Sequence, residues 1–235
     1  MSVTQLRLEL RKQASEKRAE SSVWFFKTGK GQYGYGDKFL GVSVPHQRQV
    51  ARKFNHLTLG NIEILLQSPV HEERLVALLI LVDQFKLADF LTRKEIYEFY
   101  LKNTSRVNNW DLVDLSAPYI VGVYLVDKPK NVLYRMAKSN NLWERRIAII
   151  STLAFIQKGD FYNTFKIAKI LIYDKEDLIH KAVGWMLREV GKRISKEKLE
   201  NFLKVHYKQM PRTMLRYSIE HFSLDLRQKY LKGII

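Results

Sequence analysis

The sequence predicts an all-α protein built as a stack of paired helices. Three observations lead there. Apolar residues recur at helical spacing through most of the chain. Nothing in it alternates as a half-buried strand does. And the helical segments resemble one another at a fixed interval.

The chain reads in order as follows. Residues 29–41 are a loop, because glycines gather there and VSVP follows. From residue 45 onward the pattern is helical with short breaks. VHEERLVALLILVDQF (70–85) places Leu75, Leu78, Leu79 and Val82 at i, i+3, i+4 and i+7, the spacing of one buried helix face. NLWERRIAIISTLAFI (141–156) and EDLIHKAVGWMLREVGKRI (176–194) follow the same plan. Glu144–Ile150 lies over Ile179–Trp185 at an offset of 35, with basic and small apolar positions coinciding. HEERLVALLI precedes LWERRIAII by 71 residues, about two such periods. The intervening copy falls at VNNWDLVDLSA (107–117), and a further one at MPRTMLRYSIEHF (210–222). A period near 35 fits paired-helix repeats of the HEAT kind, whose usual length is ~40. Such pairs bury their apolar stripes against neighbours and curve into a solenoid with a concave face. A single domain over 1–235, curving to the right, is therefore expected, with Trp110, Arg146 and Trp185 at similar phases on one wall.

Composition narrows the function. Lys and Arg number 40 against 24 Asp and Glu, a net charge of +16. An excess this large points to an anionic partner, and nucleic acid leads. An anionic membrane surface is second, but no basic amphipathic helix with a Trp/Phe face supports it. No run of 18 apolar residues is present, so no membrane span is expected. The polar N-terminal stretch has no apolar h-region, so no signal peptide is expected. With no cysteine, disulfides and thiolate metal sites are excluded, and a reducing cytoplasm, beside the nucleoid, fits best. The six histidines show no metal-ligand spacing, so neither metal nor cofactor is expected. GKGQYG (29–34) matches G-x-G-x-x-G formally, but no strand precedes it and no helix opens within it. It reads better as a loop that approaches phosphates.

The segment NNWDLVDL (108–115) carries the sharpest signal. Positions i and i+4 share a helix face, so Trp110 and Asp114 can address one ligand, while Asp111 points elsewhere, to cap a backbone amide or pair with a basic neighbour.

Here the sequence resembles the AlkD branch of the alkylpurine DNA glycosylases, proteins of HEAT-like repeats. The resemblance runs through FLGVSVPHQRQVARKF (39–54), NNWDLVDLSAPYIVG (108–122), LWERRIAII (142–150), HKAVGWMLREVGK (180–192) and MPRTMLRYSIEHF (210–222). It implies an active site of Trp110 and Asp114 from the W-D-x-V-D segment, Arg146 from W-x-x-R and Trp185 from A-x-G-W-x-L-R-E. It implies further DNA contacts from Lys27, Lys30 and Tyr33 in the glycine-rich loop. Lys181, Arg212 and Arg216, in the last two repeated segments, are assigned to DNA as well. Trp143 reads as packing.

The implied chemistry suits these residue types. An alkyl group on ring nitrogen 3 or 7 gives a purine a fixed positive charge, so the base leaves without protonation. Charge then grows on the deoxyribose, where a carboxylate, Asp114, stabilises it and positions water. The faces of Trp110 and Trp185 attract the cationic base, each by about 0.5–2 kcal/mol. Arg146 grips the backbone as a bidentate phosphate binder. Lys181 could form a Schiff base, but the resemblance implies a monofunctional, monomeric hydrolase of 7-methylguanine and 3-methyladenine in duplex DNA. The alternative is a non-catalytic module that binds damaged or branched DNA. A shallow solenoid wall is expected to offer no base pocket.

Overall fold

The computed structural model describes residues 2–235 and is all-α. Among the described residues there is no strand, only an isolated bridge between Lys38 and Val70. The chain divides into two compact units, one ending at Ser116 and one beginning at Ala117.

In the first unit, α1 (Val3–Lys12) opens on a capping box between Ser2 and Gln5 and buries Leu6 and Leu10. Helix α2 (Glu16–Phe25) buries none of its residues. After the glycine-rich loop come α3 (Val44–Lys53), α4 (Leu59–Leu66), α5 (His71–Leu87), α6 (Phe90–Lys102) and the short α7 (Trp110–Asp114). Helices α1, α3, α4, α6 and α7 all pack on α5. The predicted one-sided stripe on α5 is therefore exceeded: every residue from His71 to Leu81 is buried. Four of those, His71, Glu72, Glu73 and Arg74, are polar or charged and require partners inside the protein.

The second unit begins with a widened turn, Pro118–Gly122, continuing into α8 (Val123–Leu125). Then follow α9 (Asn131–Met136), α10 (Leu142–Ile150), α11 (Leu153–Ile156), α12 (Tyr162–Leu171), α13 (Asp177–Arg193), α14 (Lys196–His206), α15 (Arg212–Ser218) and α16 (Leu224–Lys232). Helix α13 is central and packs on α10, α11, α12, α14 and α15. Its contact with α15 is close because Gly184 has no side chain. A Cβ there would lie 2.5 Å from the Tyr217 Cβ and 2.6 Å from the Met214 carbonyl oxygen.

The repeat expected from sequence is visible as helix starts. α5, α7, α10, α13 and α15 begin at residues 71, 110, 142, 177 and 212, at intervals of 39, 32, 35 and 35. In most cases a shorter partner helix precedes each of these.

Candidate functional site

Helix α7 is five residues long and starts where the Asn109 side chain accepts the Trp110 backbone N–H at 2.8 Å. Asp111, Leu112 and Val113 turn inward and are buried. Trp110 and Asp114, one turn apart, are the two residues of this helix left half-exposed. Below them the fully buried Tyr100 hydroxyl meets Ser116 Oγ at 2.9 Å, and Ser116 donates to the Leu112 carbonyl at 2.5 Å. Burial, and to a lesser degree the Asp114 charge, push the Tyr100 hydroxyl far above its ordinary value. Tyr100 therefore remains a neutral strut for the helix.

Asp111 does both things expected of it. Its Oδ1 accepts the Leu112 N–H at 2.8 Å, and its Oδ2 meets His71 Nε2 at 2.8 Å. His71 Nδ1 meets Asp37 at 3.3 Å, and Asp37 pairs with Arg74 at 2.7 Å. Burial alone would hold the imidazole neutral. The Asp111 carboxylate overrides it, with help from the hydrogen bond to Asp37, and His71 is pushed up to about 9. Burial would likewise raise Asp37, but His71 and Arg74 hold its carboxyl below the ordinary value. The result is a buried charged chain, Arg74–Asp37–His71–Asp111, running from the glycine-rich loop to α7.

The same loop is fastened by its backbone. Lys38 N–H donates to the Pro69 carbonyl and His71 N–H to the Lys38 carbonyl, each at 2.9 Å. The Glu72 carboxylate accepts the N–H groups of Leu40, Gly41 and Val42 at 2.8–3.2 Å. Gly41 is required here: its φ is +74°, and a Cβ would lie 2.1 Å from the Ser15 carbonyl oxygen. Of the predicted loop contacts, Lys27 and Lys30 are exposed, Lys27 in a left-handed conformation with φ 52°, and Tyr33 is half-buried. The rings join the network too. Trp110 stacks on Phe26 at 5.5 Å and meets Phe25 edge-on at 5.8 Å, and Phe26 stacks on Phe39 at 5.1 Å.

In the second unit, Trp185 is half-exposed, although its neighbours Val183, Gly184, Met186 and Leu187 are buried. Its Nε1 donates to Glu189 at 3.2 Å. Arg146 is only 4% exposed, and its Nη1 donates to the Leu178 carbonyl, in the first turn of α13, at 2.5 Å. Trp143 is buried, as packing requires. Lys181 is half-buried and pairs with Asp177 at 2.7 Å. Arg216 is exposed and shares a cleft with Asp177, Lys181, Tyr217 and Glu220. Arg212 is exposed and donates to the Leu231 carbonyl at 2.6 Å.

A family model described as "DNA alkylation repair enzyme" matches residues 6–222. The chain belongs to the DNA alkylation repair enzyme family. Its role therefore lies in the repair of alkylated DNA, and DNA is its substrate. A solved structure described as a predicted DNA alkylation repair enzyme from Enterococcus faecalis has the same fold, with a TM-score of 0.71. The two are 17% identical over 90% of this chain and 98% of that one. Among curated proteins none matches.

In this DNA alkylation repair enzyme a cavity of about 720 Å³ opens near Trp110, walled by Phe25, Phe26, Phe39 and other residues of the first unit. His71, Asp37 and Glu72, which hold the loop and α7, went unnoticed in the sequence. The signal that could have found them is four consecutive polar or charged residues, HEER, immediately before the unbroken apolar run from Leu75 to Val82. Among the described residues no group of three or more His, Asp or Glu could hold a metal ion, and no helix is long and apolar enough to cross a membrane.

Proposed function

We propose that this DNA repair enzyme is a monofunctional DNA glycosylase that hydrolyses the glycosidic bond of cationic alkylpurines, 7-methylguanine and 3-methyladenine, in duplex DNA. The observation that carries the reading is the division of α7: three residues buried, and an indole and a carboxylate one turn apart left at the surface. A core helix has no reason to keep both at its open face. A phosphate-binding surface has no use for a carboxylate there.

In this reading Asp114 acts as catalyst. It stabilises the positive charge that grows on the deoxyribose as the base departs, and it positions the attacking water. Trp110 offers an indole face to the cationic base, and Trp185 offers the second unit's indole to the DNA. The base already carries its charge, so no general acid is required. Lys27, Lys30 and Tyr33 on the fastened loop, with Lys181, Arg212 and Arg216, contribute phosphate contacts. Arg146 was expected to clamp phosphate directly. Its burial and its bond to Leu178 fit better with positioning α13, seven residues before Trp185.

The deciding experiment is single-turnover release of 7-methylguanine by Asp114→Asn, which keeps the shape and removes the charge. Excision should fall on the order of 10²–10³-fold, as for loss of one preorganised electrostatic group. Affinity for undamaged DNA and melting temperature should hold, because the carboxylate acts mainly in the transition state. Near-wild-type release would leave a non-catalytic damaged-DNA module as the better account. DNA binding is checked by salt titration. With a slope of about −0.9 per neutralised phosphate, log affinity against log salt should fall by several units, and a flat response would remove the phosphate-binding assignments.

A further inference from the structure

Helix α13 sets where Trp185 stands, but not how its ring is turned. A tryptophan side chain has two rotatable bonds and a single polar atom, the Nε1–H, which can only donate. In a half-exposed residue beside DNA that donor would serve water or a phosphate as readily as the protein. Here it is taken up internally. Glu189 lies one turn further along α13 on the same face, and its Oε1 accepts the indole N–H at 3.2 Å. With its polar atom engaged, Trp185 has only ring carbon to present outward, and ring carbon is what a stacking or cation–π contact uses.

A carboxylate is a costly acceptor if packing were the purpose of position 189. Glu189 is 6% exposed, and a buried charge on a helix needs partners to offset its lost hydration. They come from the same helix. Arg193, one further turn on, donates its Nε to Glu189 Oε2 at 2.6 Å, and Arg188 Nη2 approaches Oε1 at 3.9 Å. Arg188 is in turn paired with Glu220, beyond the end of α15. The two oxygens of Glu189 thus have separate tasks. Oε2 is held by the Arg193 guanidinium, itself 46% exposed, and Oε1 is left aimed back at the indole. Trp185, Glu189 and Arg193, at i, i+4 and i+8, form a relay along one helix face that ends on the ring.

We propose that Glu189 is a positioning residue of the reaction, which orients the Trp185 indole so that its ring, and not its N–H, meets the damaged DNA. The assignment rests on the glycosylase reading, in which Trp185 faces DNA. Glu189 touches neither base nor sugar and acts through Trp185.

The test uses the full chain with tryptophan isotope-labelled at the indole nitrogen, whose four indoles give four N–H resonances. Trp185→Phe identifies the one from Trp185. Glu189→Leu keeps the bulk and removes the acceptor, whereas Glu189→Gln keeps an acceptor oxygen and removes the charge. The leucine variant should shift the Trp185 resonance and speed its exchange with water, and leave those of Trp24, Trp110 and Trp143 in place. Its single-turnover release of 7-methylguanine should fall about ten- to hundredfold, the scale of a misplaced positioning group. Its melting temperature should hold, because Arg193, the partner left behind, reaches solvent, and its affinity for undamaged duplex should be that of wild type. The glutamine variant should recover the Trp185 resonance and most of the release. An unmoved Trp185 resonance in Glu189→Leu, wild-type release by it, or a glutamine variant as slow as the leucine one would overturn the assignment. So would a leucine variant that loses melting temperature, DNA affinity and release together. If the wild type releases no base while leucine alone moves the Trp185 resonance, the orienting role stands and the glycosylase reading falls, so the two failures are separable.

Discussion

The two half-exposed tryptophans of the candidate site, Trp110 and Trp185, are held in opposite ways. Trp185 rides on α13, 17 residues long and packed by five other helices, and its indole needs only one hydrogen bond, to Glu189. Trp110 opens α7, five residues long. An isolated helix shorter than ~12–15 residues is marginal in water, so α7 cannot sustain itself. It stands because Asp111 is tied to His71, because Asn109 caps it, and because Phe26 stacks on its indole. The comparison teaches that one indole is positioned by secondary structure and the other by a buried charged network reaching back to the glycine-rich loop.

That contrast can be broken. Its largest expected effect comes from Asp111→Ala. Removing one member of a buried ion pair strands the other and costs about 3–5 kcal/mol. Denaturant unfolding followed by tryptophan fluorescence should show the loss, together with collapse of 7-methylguanine release. Wild-type stability in this variant would mean that α7 is held by something other than His71.

Alkaline pH should act on the same element. His71 is raised in the folded protein from 6.5 to about 9, so its contribution is complete below the unfolded value and is lost as pH rises through the folded one. The loss, on the order of 3 kcal/mol between those values, should appear as a falling melting temperature over that window. His71→Gln should begin less stable and show a flatter profile. A wild-type melting temperature that stays level across the window would contradict the charged imidazole.

The smallest effect is expected on the other side. Arg146→Ala removes the charged donor that reaches the Leu178 carbonyl from outside α13, a cost of about 1.5–3 kcal/mol. Trp185 should be displaced and excision reduced, while the salt dependence of binding to undamaged duplex stays as in wild type. A lower slope would return Arg146 to the phosphate contacts.

How much of this was legible in sequence follows from where the information lies. The helix starts at 142, 177 and 212 repeat a local pattern, and local patterns survive in a linear string. The Trp110/Asp114 pair was legible because helical geometry alone places i and i+4 together. Trp185 was legible only through the resemblance, since sequence alone does not show that Gly184 admits α15 on one side while the adjacent indole stays half-exposed. The His71 network was hidden for a different reason: its members are 34 and 40 residues apart, and their pairing appears only when the loop docks. Arg146 was assigned to phosphate, and its burial was missed for the same reason, because its partner, a backbone carbonyl, has no sequence signature.

The chain Asp37–His71–Asp111 also sets an order of events during synthesis. Residues 37 and 71 leave the ribosome well before residue 111, and closing a contact of that length costs entropy that no single helical turn returns. Helix α7 is therefore completed only after the loop has seated on α5, and it is the element whose amide hydrogens should exchange first when the loop lifts. The residues proposed to read the lesion then become ordered only in a first unit whose other parts are already in place, so an unfinished or partly opened chain presents no assembled carboxylate to intact DNA.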